Sequence, residues 1–288
     1  INWGNIGKTS FFLGVFLLSS TLVFSTLFLM IAALIGSFNN RANYFKDNWN
    51  KSLFICGILI VLSTILQNFV LKNPYQGVWN PNLSIVGLAN WLPFFWLFWC
   101  FQPYLNNKFK RRNLGLTLIS GSFPVILTGF GQYFFNWNGP FKLFNGLIVW
   151  YQRPLEIADK TGIVHATGLS GLFSNQNYAG CWLNFIWPFC LAFILERNLS
   201  FLKKTIAFSF LISIGLATFL TTSRSALGGI FISLPIVIGA ESLMWIIPLL
   251  LFGVLFTAWI VSPIFSGDLQ NFFRELINET VSPPPITE

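Results

Sequence analysis

Apolar runs of about 20 residues recur along the whole chain, and no polar stretch between them is long enough to build a water-soluble core of its own. A helix rises 1.5 Å per residue, so a run of that length matches the ~30 Å hydrocarbon layer of a bilayer. Such runs lie at about 11–38, 52–71, 83–104, 114–135, 178–197, 205–222, 226–240 and 243–264. They are continuously apolar and do not alternate with a period of two, which excludes a spanning β-barrel. The sequence therefore predicts an all-α, polytopic transmembrane helical bundle of about eight spans over residues 1–264, with an outer segment at 136–177. The segment 226–240 is short and carries Gly228, Gly229 and Pro235, so it is the one expected to be broken or only partly inserted. Residues 265–288 read as the start of a periplasmic loop. Composition agrees: 54% of residues are apolar and 9% charged, far from the roughly 25% charged residues of a soluble domain.

Charge then sets direction. Ten of the 17 Lys and Arg residues fall in three short connections: Arg41, Lys46 and Lys51; Lys108, Lys110, Arg111 and Arg112; Arg197, Lys203 and Lys204. Cytoplasmic loops carry this excess, so these three define the cytoplasmic face. The net charge of +8 is explained by topology, not by nucleic-acid binding, because the basic residues do not line one helix face. The opposite face is expected to receive the Ile1–Ser10 start, the Asn73–Asn82 loop, the 136–177 segment, the Ser223-Arg224 turn and the tail after Pro263. Two outer stretches have helical amphipathic spacing and are expected to lie along the membrane surface: Phe141, Phe144, Ile148 and Tyr151, and Leu269, Phe272, Phe273, Leu276 and Ile277.

All nine acids lie in loops or at helix ends, so no carboxylate is placed mid-membrane for a proton or sodium relay. Their scatter also excludes a glycosidase pair and an oxygen cage for a divalent metal. The cysteines Cys56, Cys100, Cys181 and Cys190 sit inside apolar runs with no CxxC or Cys/His spacing, and no metal or cofactor site is predicted.

Two polar constellations interrupt this pattern. Arg224 stands in Thr221-Thr222-Ser223-Arg224-Ser225, a knot between two apolar helices with almost no room for a loop. Its guanidinium is either a snorkelling end residue or an anion clamp: a planar fork fits phosphate oxygens, and the hydroxyls of Thr222, Ser223 and Ser225 add donors. The second constellation, Gly168 to Gly180, leads into the fifth span. Asn175 and Asn177 either cap a helix or help bind a sugar, at a helix N-terminus that also suits an anion. Trp137, Trp150 and Tyr151 are interface-belt residues or sugar-stacking platforms. His165 is the single histidine and, with Arg153, lies on the outer segment. It is weighed as a general base but lacks a carboxylate at fixed spacing to orient it. Asn278-Glu279-Thr280 has the form of a glycosylation sequon.

The two constellations carry a resemblance. Gly171-Leu172-Phe173-Ser174-Asn175-Gln176-Asn177-Tyr178-Ala179 is similar to the G-x-F-x-N-P-N-x-x-A helix entry of the O-antigen ligase and O-antigen polymerase superfamily of bacterial inner-membrane proteins, and Thr222-Ser223-Arg224-Ser225-Ala226 is similar to its T-x-S-R-G/S-A turn. The resemblance implies a multi-pass inner-membrane protein and metal-independent glycosyl transfer on the periplasmic face. A glycan would move from an undecaprenyl-diphosphate lipid donor to a sugar hydroxyl on a glycan acceptor. Arg224 would bind the diphosphate, with Ser223, Asn175, Asn177, Arg153 and His165 as substrate-binding candidates. Two positions depart from the pattern: Gln176 replaces the usual Pro, and Leu169 replaces a basic residue that many members carry. Arg153 is the candidate replacement for that second phosphate contact.

The resemblance also implies a catalytic histidine on a large periplasmic loop further along. The start at Ile1 and the Pro283-Pro284-Pro285 end are read as those of a fragment, and the 1–288 polypeptide is expected to be inactive by itself. Two other functions stay open. Some cyanobacterial relatives of the superfamily are labelled bicarbonate transporters, and a non-catalytic subunit of an envelope-assembly complex would tolerate weak motifs.

Overall fold

The computed structural model describes residues 2–70, 81–158, 164–196 and 199–239, with 244, 247–248 and 251–252 beyond them. Side chains at 69–70, 81–82, 156–158 and 164–166 are outside the description. Most of the expected 243–264 span lies outside the described residues, as do Arg197, nearly all of the 73–82 loop, and the 265–288 tail with its apolar stripe from Leu269 to Ile277 and its sequon.

Helices dominate: α1 (Trp3–Leu17), α2 (Leu22–Asn40), α3 (Asn48–Ile65), α4 (Pro81–Leu88), α5 (Leu92–Cys100), α6 (Gln102–Leu105), α7 (Lys108–Gly121), α8 (Phe123–Phe135), α9 (Gln176–Ile194), α10 (Phe201–Leu220) and α11 (Arg224–Ile238). Among the described residues, five helical segments are long and apolar enough to cross a membrane: Leu22–Lys46, Asn48–Asn68, Leu83–Cys100, Lys108–Phe135 and Phe201–Leu220. The figure of eight goes further than these five. Helix α9 has 19 residues but carries Gln176, Asn177 and Asn184, while α11 has 15 residues with Pro235 inside. Large apolar side chains such as Leu27, Ile55, Leu59, Phe94, Ile206 and Phe208 stand more than half exposed along these helices, an apolar exterior that a water-soluble protein does not carry.

Contacts divide the chain into Ile1–Ala226 and Leu227–Glu288. The second unit contributes, among its described residues, the body of α11. In the first unit a contiguous core runs through Phe11, Val15, Ala32, Leu118, Val125, Leu169, Leu183, Ile186, Ile214 and Ala217. Small residues bring helices close, as expected where lipid supplies no hydrophobic drive between them. A Cβ at Gly36 would stand 2.0 Å from the Cys100 carbonyl oxygen, and one at Gly14 would stand 2.7 Å from Leu29.

The first apolar run is not one long span. The chain turns at Leu18–Thr21, and α1 folds back on α2: Ser25 Oγ donates to the Gly14 carbonyl at 2.7 Å, while Gly7 packs against Ile35. Antiparallel packing brings the Trp3 end beside Phe38 and Asn39, so the described residues of the expected outer Ile1–Ser10 start join the basic face and not the outer one. Continuous hydropathy hides such a hairpin because a turn of Leu-Ser-Ser-Thr is nearly as apolar, averaged over a window, as the helices it joins.

The three basic connections do lie at one end of the bundle. Buried Asn50 exchanges hydrogen bonds with Gln102 (3.0 and 3.3 Å), tying the first connection to the second, and Asn40 Nδ2 donates to Gln102 Oε1 at 3.3 Å. Arg112 pairs with Glu196 at 3.0 Å, tying the second to the third. Because both charges are well exposed, the pair adds at most ~1 kcal/mol, but it fixes where the ends meet.

The 136–177 segment carries the strands. β1 (Phe141–Leu143) pairs antiparallel with β2 (Ile148–Trp150), and β3 (Glu156–Ala158) with β4 (Val164–Ala166). The expected surface helix through Phe141, Phe144, Ile148 and Tyr151 is therefore a hairpin. Its cause is Asn145-Gly146, where Asn145 at φ 55° and Gly146 at φ 91° both take left-handed conformations that reverse the chain and that a helix does not use.

Candidate functional site

The turn between α10 and α11 is built from its own polar groups. Thr221 Oγ1 donates to the Thr218 carbonyl at 2.6 Å and accepts from Ser223 N at 3.2 Å, while Ser223 Oγ and Ser225 Oγ lie 3.2 Å apart. Thr221 and Ser223 are buried; Thr222, Arg224 and Ser225 are exposed. Thr222 sits at φ 56°. A β-branched residue in that region costs about 1–2 kcal/mol and persists only where its surroundings hold it there.

The second constellation supplies those surroundings. Leu169 N donates to the Leu220 carbonyl at 2.9 Å. Gly168 lies so close that a Cβ there would stand 2.0 Å from the Thr221 carbonyl oxygen and 2.7 Å from Thr222 Oγ1. Gly180, one turn into α9, packs against Ser223 and Ala226: a Cβ would stand 3.0 Å and 2.9 Å from theirs. Two motifs separated by about forty residues are thus one structure. Gln176 spans both: its Oε1 accepts from Gly168 N at 2.6 Å and its Nε2 donates to Thr222 Oγ1 at 3.4 Å.

Asn175 caps α9, accepting from Asn177 N at 2.8 Å, so its side-chain oxygen is occupied by the helix end. Asn177 is exposed on the first turn. Arg153 is placed through its backbone: its N–H donates to Ser170 Oγ at 2.9 Å, and its carbonyl accepts from Gln132 Nε2. His165 lies on β4 opposite Ile157, and its side chain is outside the described residues. Of the aromatics, Trp150 is engaged, Nε1 donating to the Ser20 carbonyl at 2.8 Å, whereas Tyr151 is exposed.

Gln132 was not singled out by sequence reasoning, yet it is fully buried and organises the corner. Its Oε1 accepts from Ser170 N at 2.9 Å and Gly171 N at 3.0 Å, and its Nε2 reaches Ser170 Oγ at 3.2 Å as well as Arg153. The available signal was a single amide in an apolar helix, a position kept only when its hydrogen bonds are met.

Electrostatically the corner is positive. α9 begins here with the positive end of its dipole, its Asn177, Tyr178 and Ala179 N–H groups bonded to Asn175. Arg224 is the first residue of α11, where a cation is disfavoured by about 0.3–1 kcal/mol. Among the described residues neither Arg224 nor Arg153 forms an ion pair that would offset that cost. An anion bound there would offset it. Among the described residues no three His, Cys, Asp or Glu side chains gather in a metal-binding group.

Compared with known proteins, this chain matches no family model, no characterised protein and no solved structure.

Proposed function

We propose that this protein is a membrane glycosyltransferase of O-antigen ligase or polymerase type, with Arg224 gripping the diphosphate of an undecaprenyl-linked glycan donor on the face opposite the basic connections. The observation that carries this reading is the packing of Gly168–Gly180 against Leu220–Ala226, which sets an exposed guanidinium, without an ion-pair partner among the described residues, beside the N-terminus of α9 and a strained Thr222. Charge neutralisation and positioning of a leaving diphosphate need little else from the protein at that atom. Thr222 and Ser225 offer exposed hydroxyls beside it; Ser223 contributes from beneath, through Ser225. Asn177, Arg153 and His165 remain the candidates for contacts with the glycan and the second phosphate.

The test is transfer from a lipid-linked glycan by the intact protein in proteoliposomes, run beside radiolabelled bicarbonate uptake. Arg224→Lys keeps charge and loses the planar fork, so transfer is expected to fall by about 10–100-fold, the worth of a lost charge-assisted bidentate contact, with normal membrane insertion. Unchanged transfer in that variant removes Arg224 from the mechanism. Bicarbonate uptake without transfer replaces the reading by an anion transporter.

A further inference from the structure

At the end of the bundle opposite Arg224, a groove of about 590 Å³ opens along α1 against Thr117 of α7. Its α1 wall is one helical face, at spacings of three and four residues, and it changes character along its length. Asn5, Lys8 and Thr9 form the end near the basic connections; Phe12, Leu13 and Phe16 continue it inward. From Lys8 to Phe16 is about 12 Å at 1.5 Å per residue. The two helices run in the same direction, since a Cβ at Gly121 would stand 2.4 Å from the Phe16 carbonyl oxygen while one at Gly7 would stand 2.3 Å from the hydroxyl of Tyr104, which precedes α7. The polar end therefore lies at the start of α7, where Lys108, Lys110, Arg111 and Arg112 cluster. Lys8 is exposed and, among the described residues, has no carboxylate partner.

We propose that this groove is a binding site for one anionic glycerophospholipid, with Lys8 on the phosphate, Asn5 and Thr9 on headgroup or ester oxygens, and an acyl chain along Phe12, Leu13 and Phe16. A cation with hydroxyl and amide donors above an apolar channel complements a phosphate joined to a hydrocarbon tail. The basic cluster draws anionic lipid to that end of the bundle. The folding back of α1 makes the site, because it carries Lys8 to the basic face. The site is independent of the Arg224 reading and stands or falls without it.

The purified full chain, stripped of lipid and offered equal amounts of phosphatidylglycerol and phosphatidylcholine in detergent, is examined by native mass spectrometry. One phosphatidylglycerol per chain is expected to be retained in preference. Lys8→Gln is expected to lower that retention about fivefold relative to phosphatidylcholine, the value of one lysine near an anionic headgroup. Leu13→Trp, filling the channel, is expected to lower it too, while Lys203→Gln on the same face leaves it unchanged. Equal retention of the two lipids by the native chain, or full retention by Lys8→Gln, overturns the proposal, the latter even if Leu13→Trp fails to fold.

Discussion

Gly168→Ala tests whether the two polar motifs are locked together. The added Cβ would stand 2.0 Å from the Thr221 carbonyl oxygen and 2.3 Å from its carbon, both backbone atoms of a turn with no flexible side chain to yield. Relief requires the two segments to separate by roughly 1 Å or more, and overpacking of this kind costs about 1–3 kcal/mol. The same movement stretches Leu169 N to Leu220 O, now 2.9 Å, and Gly168 N to Gln176 Oε1, now 2.6 Å. Each such bond is worth about 1 kcal/mol net. The expected loss is therefore about 2–5 kcal/mol, measured by SDS titration of the purified protein in mixed micelles. Gly228→Ala is the matched control: a Cβ there meets nothing within 4 Å, and alanine is favoured over glycine in a helix by about 0.5–1 kcal/mol. Equal stability of the two variants would refute the argument that Gly168 holds the turn by close approach.

Gln132→Leu leaves the Ser170 and Gly171 N–H groups buried without an acceptor, so a loss of about 2–4 kcal/mol is expected, with the Tyr151–Ser170 stretch cut first in limited proteolysis. Gln176→Pro places proline at the first position of α9, where it costs no helix bond; helicity by circular dichroism should hold while stability falls by about 1–2 kcal/mol, because the links to Gly168 and Thr222 are gone. Single cysteines at Trp3, Asn107 and Lys203 should react with an impermeant maleimide from one side of the membrane and a cysteine at Arg224 from the other; labelling of Trp3 and Arg224 from the same side would contradict the α1–α2 hairpin.

The helical class was legible because bilayer-length apolar runs leave a chain few other folds, and the clustering of lysine and arginine gave the face at which Asn50, Gln102, Arg112 and Glu196 meet. Both polar constellations were legible too, since Arg224 and Asn175 are conspicuous in apolar surroundings. What misled was averaging. A hydropathy window passes over the Leu18–Thr21 turn, and a 3.6-residue spacing through Phe141 to Tyr151 outweighed the Asn145-Gly146 pair that bends that stretch into a hairpin.

Local residue chemistry alone thus determined that this chain forms apolar helices with one basic face and two polar knots, because hydropathy and charge act over a few residues. That the knots touch through Gly168, Gln176 and Gly180, that Gln132 pins the outer segment beneath them, and that Lys8 turns to the basic end were decided by tertiary packing. Those contacts join residues far apart in sequence, and whether a glycine is a loose joint or a point of close approach depends on what the fold brings against it.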